Sequence, residues 1–224
     1  MIKILKPIVA FSIILAVPFC SIIYTTEVSN QKEFRPIFTE PTKKEVWADI
    51  DPIETCVEKI RDSLNQQPTA THLSLSTRSL GNKILEVIGD FPNIQHLFVK
   101  ENCFTDKGSK HLSRLVNIRE INLSRNYISS KGLAYLPLDN LEILRINFLP
   151  LNNDNGIFLE KLETAKQLRE LYIAGVEIAG ESLVFLEKLT QLRVMDVSYN
   201  DFTNEEVKKL RKSLPYACVI FLEK

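Results

Sequence analysis

The chain has 224 residues, of which 45% are hydrophobic and 25% charged, and its 28 Lys and Arg balance 28 Asp and Glu. These are the proportions of an ordinary globular protein, and they argue against a generic polyanion partner such as nucleic acid, whose phosphates call for clustered Lys and Arg. With only 7 Gly and 10 Pro there is no low-complexity segment to account for.

Met1 to Lys6 carries Lys3 and Lys6, and the 18 residues that follow, Pro7 to Tyr24, are uncharged. A basic start before an apolar run reads as a secretory signal or an uncleaved signal anchor over residues 1–26, which would carry the rest of the chain across a membrane. Pro18, Phe19, Ile22, Ile23 and Tyr24 crowd the window where a cleavable signal wants small residues. An anchor just long enough to span is therefore the rival reading. Cys20 follows Phe19 where a lipidation motif wants a small residue, so it reads as a passive apolar side chain. Residues 27–48 are polar, hold Pro36 and Pro41, and read as an extended linker.

Residues 49–69 read as an amino-terminal capping helix. Asp51 takes the N-cap and Pro52 the first helical position. Ile53, Cys56, Val57, Ile60 and Leu64 then recur at helical spacing, leaving Glu54, Glu58, Lys59 and Arg61 outward.

From residue 70 to 224 the chain repeats itself. Ile94, Leu97, Val99, Asn102, Phe104 and Gly108 are matched by Ile118, Ile121, Leu123, Asn126, Ile128 and Gly132, each pair 24 residues apart (118 − 94 = 24). A fixed period of that length marks a stacked solenoid, in which no single copy can bury its own apolar face. Leu97/Val99 and Ile121/Leu123 alternate as a short strand buried on one face. The Asn stands where the chain turns away, its amide able to pair backbone groups that the turn would strand. Four looser copies start at Ala70, Leu141, Leu168 and Leu192, and the segment Leu214 to Phe221 reads as a final strand. Arg78, Leu149 and Val176 replace the Asn, so its ladder is interrupted in the middle of the array. Pro137 should cut one helix short, and Asn152 to Gly156 lengthens the fourth copy into a loop. That loop lacks the ligand spacing of a calcium site.

The pattern L-x-x-L-x-L-x-x-N-x-[ILF] followed by a helix resembles the leucine-rich repeat, in its short ribonuclease-inhibitor-like and bacterial form. The resemblance covers Ala70 to Phe221. It implies an α/β, right-handed solenoid of about six repeats, with a parallel sheet on the concave face and helices on the convex face. It also implies a non-enzymatic scaffold that binds a protein or peptide, without a cofactor and touching a membrane only through its amino-terminal segment. Richness in Ile, Lys and Asn adds a bacterial flavour by analogy. A self-associating envelope protein is the alternative, and a hydrolase or metal protein a weaker one.

Strand alternation directs three columns of side chains out of the sheet. The first is His72, His96, Glu120, Ile143, Glu170 and Val194; the second is Ser74, Phe98, Asn122, Arg145, Tyr172 and Asp196. The third is Ser76, Lys100, Ser124, Asn147, Ala174 and Ser198, flanked by Arg125, Phe148 and Tyr199 at the strand exits. Phe98, Arg125, Arg145, Phe148, Tyr172, Asp196 and Tyr199 form the expected partner-binding patch, because aromatics and Arg bury much area at small entropic expense. His72, His96 and Glu120 share a column and are candidate metal ligands or a pH-responsive group. Ser74 and His96 fall on adjacent strands, but no Asp or Glu is placed to orient that His without also contacting the Ser side, and neither a nucleophile elbow nor a phosphate-cradling loop is present. Cys56, Cys103 and Cys218 allow at most one disulfide, and Cys218, facing outward, is the candidate for reactivity.

Overall fold

The structure is a computed structural model and describes residues 12–13, 53–75, 80–151 and 157–224. The signal segment apart from Ser12 and Ile13, the linker, the Asp51–Pro52 helix start, Ser76 and Arg78, and the Asn152 to Gly156 loop lie outside the described residues. No helix among the described residues is long and apolar enough to cross a membrane.

Each repeat supplies one three-residue strand. In order these are β2 (His72–Ser74), β3 (His96–Phe98), β4 (Glu120–Asn122), β5 (Ile143–Arg145), β6 (Glu170–Tyr172), β7 (Val194–Asp196) and β8 (Cys218–Ile220), with β1 (Ser12–Ile13) pairing ahead of β2. Spatial order follows chain order, and every pairing is parallel. The register aligns Leu73, Leu97, Ile121, Leu144, Leu171 and Met195 as one inward rib, all at most 1% exposed.

The returning half of each coil is helical. Val57, Ile60 and Leu64 on α1 (Ile53–Gln66) face the core, as do Ile84, Leu85, Val87 and Ile88 on α2 (Asn82–Gly89). In the middle repeats the expected helices shrink to a turn or so: α3 (Asp106–Ser109), α4 (Ser130–Leu133), α5 (Ile157–Lys161) and α6 (Leu183–Leu186), helped by adjoining 3-10 turns. Leu112 sits on such a turn, and Leu115 and Leu136 lie past their helices, yet all three are buried. Strands spaced about 4.8 Å apart on one side and wider helical turns on the other bend the coil toward the sheet, which becomes the concave face.

Polar side chains stitch neighbouring coils. Asn126 Oδ1 accepts from the N–H of Asn102 at 3.0 Å and of Phe104 at 3.1 Å, while its amide donates to the carbonyls of Val99 and Leu123. Asn200 does the same for Val176 and Ile178. Leu149 and Val176 fill the intervening Asn positions, fully buried and with no amide to offer. Two further ladders stand outside the repeat signature as first read. Before β3, β4, β5 and β7, Asn93, Asn117, Asn140 and Gln191 respectively donate to carbonyls of the preceding coil at 3.0 to 3.2 Å. At the helix starts, Asn82 bonds Thr105 and Asp106 bonds Ser129. The repeat's Gly makes room for the latter: a Cβ on Gly132 would stand 2.3 Å from Asp106 Oδ1.

At the carboxyl end the expected long strand over Leu214 to Phe221 is shorter. Leu214 closes α7 (Asn204–Ser213), and only Cys218–Ile220 pairs with β7. Thr203 and Glu206 start α7 with a reciprocal capping box, whose hydrogen bonds hold the Glu206 carboxyl below its usual range.

Candidate functional site

The ladder brings the first two columns together as their alternation requires. His72 pairs with His96 and His96 with Glu120, so their side chains stand side by side on the concave face. The two imidazoles stack with ring centroids 4.1 Å apart and planes within 8°. Thr71 Oγ1 lies 2.9 Å from His72 Nδ1, and Glu120 Oε2 lies 3.2 Å from His96 Nδ1. Burial, and then the neighbouring His96, lower the pKa of His72 below the ordinary imidazole value; Glu120 partly offsets this.

From Glu120 the chain of contacts runs on across the sheet. Arg145 pairs with Glu120 through Nη1 and approaches Glu170 Oε2 at 3.8 Å through Nη2. Its guanidinium lies 4.8 Å over the Tyr172 ring. The Tyr172 hydroxyl donates to Glu170 Oε2 at 2.9 Å, and burial followed by that carboxylate raises the phenol's pKa. Two histidines, two glutamates, an arginine and a tyrosine thus form one continuous half-buried line over five strands.

A second cluster stands at the strand exits. Arg125, Phe148 and Tyr199 have φ of 56°, 57° and 58°, the left-handed region that bulky residues adopt only when their surroundings hold them there. Arg125 lies 4.9 Å from the centre of the Phe148 ring, and Phe148 stacks on Tyr199 at 6.4 Å. Gly175 occupies the equivalent position between the two rings, at φ 62°. A Cβ there would meet Phe148 Cε1 at 2.4 Å, so the missing side chain lets the phenyl ring lie across the repeat.

The seven residues expected to form one patch therefore divide. Arg145 with Tyr172 belongs to the central line, and Arg125, Phe148 and Tyr199 to the exit rim. Phe98 stands between Ser74 and Asn122 in the register, outside both groups. Asp196 pairs with Tyr172 across strands, but its Oδ1 turns back to accept from Ser198 N–H at 3.0 Å. The sequence columns place Glu170 outward but do not reveal its contacts with Arg145 and Tyr172, nor the ring-seating role of Gly175, for which the Gly at an exit position was the available signal.

Three expectations are corrected. The third column projects only in part: Lys100 is exposed and Asn147 half-buried, but Ser124, Ala174 and Ser198 are buried at 4%, 4% and 2%. Strands of three residues end before this column, and Ser124, Asn147 and Ser198 serve the turn instead. Ser124 Oγ accepts from Asn147 N–H, Asn147 Oδ1 from Ala174 N–H, and Ser198 Oγ from Leu222 N–H. Second, a carboxylate does orient His96, namely Glu120; Ser74 pairs with Phe98, and no Ser74–His96 hydrogen bond occurs among the described residues. Third, His72, His96 and Glu120 do not converge as metal ligands. Parallel stacked rings point their lone pairs alongside one another, and Glu120 is shared with Arg145. Among the described residues no group of three His, Cys, Asp or Glu is arranged to hold a metal ion. Cys56, Cys103 and Cys218 form no disulfide, and Cys218 is exposed.

No protein-family model matches the chain. Over 163 residues, 71% of the chain, it is 25% identical to the CD180 antigen of mouse, Mus musculus. The crystal structure of the internalin InlF from Listeria monocytogenes superposes on 72% of the chain with a TM-score of 0.55 and 16% identity. Both are leucine-rich-repeat proteins. This chain has the leucine-rich-repeat fold. It spans about a quarter of the length of that curated relative and about half of the internalin chain. In this leucine-rich-repeat solenoid the concave line and exit rim belong to the unspecified positions of the pattern, whereas the ladder residues Asn126 and Asn200 belong to its specified Asn position.

Proposed function

We propose that this leucine-rich-repeat protein is a non-enzymatic recognition module that takes a protein or peptide on its concave face. On this reading it is exported, and either secreted or anchored through residues 1–26. The observation that carries the reading is the organisation of the face. Its large side chains are already held, Arg145 between two carboxylates and over Tyr172, Phe148 between Arg125 and Tyr199. Side chains ordered before binding lose little entropy on docking, and aromatic and Arg residues so placed are those that dominate interfaces.

The test is affinity capture from the fraction outside the membrane, comparing wild type with a Tyr172→Ala/Phe148→Ala variant of unchanged circular dichroism. Loss of two such anchors should weaken capture about thirtyfold or more, equivalent to about 2 kcal/mol. Equal capture by both proteins would remove the concave face from the account.

A further inference from the structure

We propose that the stacked His72–His96 pair is an acid-operated switch at the amino-terminal end of the recognition face: protonating both imidazoles breaks their stack and remodels that end. The inference rests on the reading of this face as the binding surface and names how it is regulated.

The geometry distinguishes two protonation steps. With a proton on His96, its Nδ1 donates to Glu120 at 3.2 Å while a neutral His72 remains stacked on it. A second proton on His72 puts two cations face to face at 4.1 Å. Among the described residues no further carboxylate is at hand to offset it, because Glu120 is shared with Arg145, and Arg145 in turn with Glu170. Glu120, Arg145 and, through Arg145, Glu170 are the described charged groups that face the pair from β4, β5 and β6, β1 offers it Ser12, and the helices pack on the other side of the sheet. Thr71 Oγ1, the neighbour of His72 Nδ1, can accept a proton's hydrogen bond but carries no charge to balance it. The first two columns hold Glu120, Glu170 and Asp196 against Arg145, so the two protons also cancel the net negative charge of those columns.

The experiment is a titration of the free, full-length chain, followed through the imidazole Cε1 protons by NMR. Expected are a His72 step below the ordinary imidazole value and loss of ring-to-ring contacts during that step. His96→Gln should move the His72 step upward. His72→Phe, which keeps a ring for stacking but takes no proton, should retain the ring contact with His96 throughout. Ring contact retained in acid by the wild type would overturn the proposal, as would a His72→Phe ring that parts from His96 at the same pH as wild type. Because no ligand is present, this result is independent of capture by the Tyr172→Ala/Phe148→Ala variant, which tests the binding reading by itself.

Discussion

Asn126 offers the sharpest test of how the coils are held together. Replacing it with Ala removes the acceptor for two backbone N–H groups, of Asn102 and Phe104, and the donor shared among the carbonyls of Val99, Leu123 and Ser124. The side chain is 1% exposed, so water has little access to replace it. A buried group left unpaired costs about 1–3 kcal/mol. Taking about 1.5 kcal/mol for each orphaned N–H gives a loss of about 3 kcal/mol. At about 2–4 °C per kcal/mol for a chain of this size, Tm should fall by about 6–12 °C. Urea denaturation should show the same loss with an unchanged slope. Asn200→Ala should match it, and the double variant should be additive, since three strand spacings of about 4.8 Å separate the sites. A loss below about 1 kcal/mol at both sites would refute the ladder as a principal source of stability.

Other outcomes follow from single residues. Gly175→Ala forces a Cβ into the Phe148 ring at φ 62°, and should cost about 2 kcal/mol, from about 1–2 kcal/mol of left-handed strain plus the lost Arg125–Phe148 contact; equal urea midpoints would contradict it. Lowered in the folded state, the pKa of His72 makes its contribution to stability complete above the ordinary imidazole value, and that contribution is lost as pH falls from there through the folded value. Denaturation curves of wild type should therefore weaken over that acid window more than those of His72→Phe. Arg211 donates to Val219 O at 3.1 and 3.3 Å, occupying the outward carbonyl of β8, so Arg211→Ala should promote self-association visible by light scattering. An Arg211→Ala chain that stays as monodisperse as wild type would show that this edge is guarded by something else.

The legibility of the fold was uneven, for physical reasons. Burial fixes strand alternation, so Leu97/Val99 and Ile121/Leu123 specified the register and hence the neighbours His72, His96 and Glu120. Alternation says nothing beyond the end of a strand, and each strand stops after three residues; Ser124 and Ser198 consequently turned inward to bond the turn. The left-handed exits were hidden because Arg125, Phe148 and Tyr199 are not residue types that favour that conformation, and only Gly175 hinted at it. The amide ladder of Asn93, Asn117 and Asn140 was readable at its steps of 24 and 23 residues (117 − 93, 140 − 117), but it precedes the signature and was passed over. Thr203 and Glu206 likewise spell a capping box for the helix that follows the last repeat. Side-chain pairing among Glu120, Arg145, Glu170 and Tyr172 depends on rotamers, which column membership leaves open.

The most direct test of the central claim is where a captured partner touches the solenoid. A photo-crosslinking residue is placed in turn at Phe98 and Tyr172 on the concave face, and at Tyr135 and Val184, which are exposed at 49% and 54% on the helical side. The account predicts partner adducts from positions 98 and 172 and none from 135 and 184. Adducts confined to positions 135 and 184 would place recognition on the convex side and contradict it.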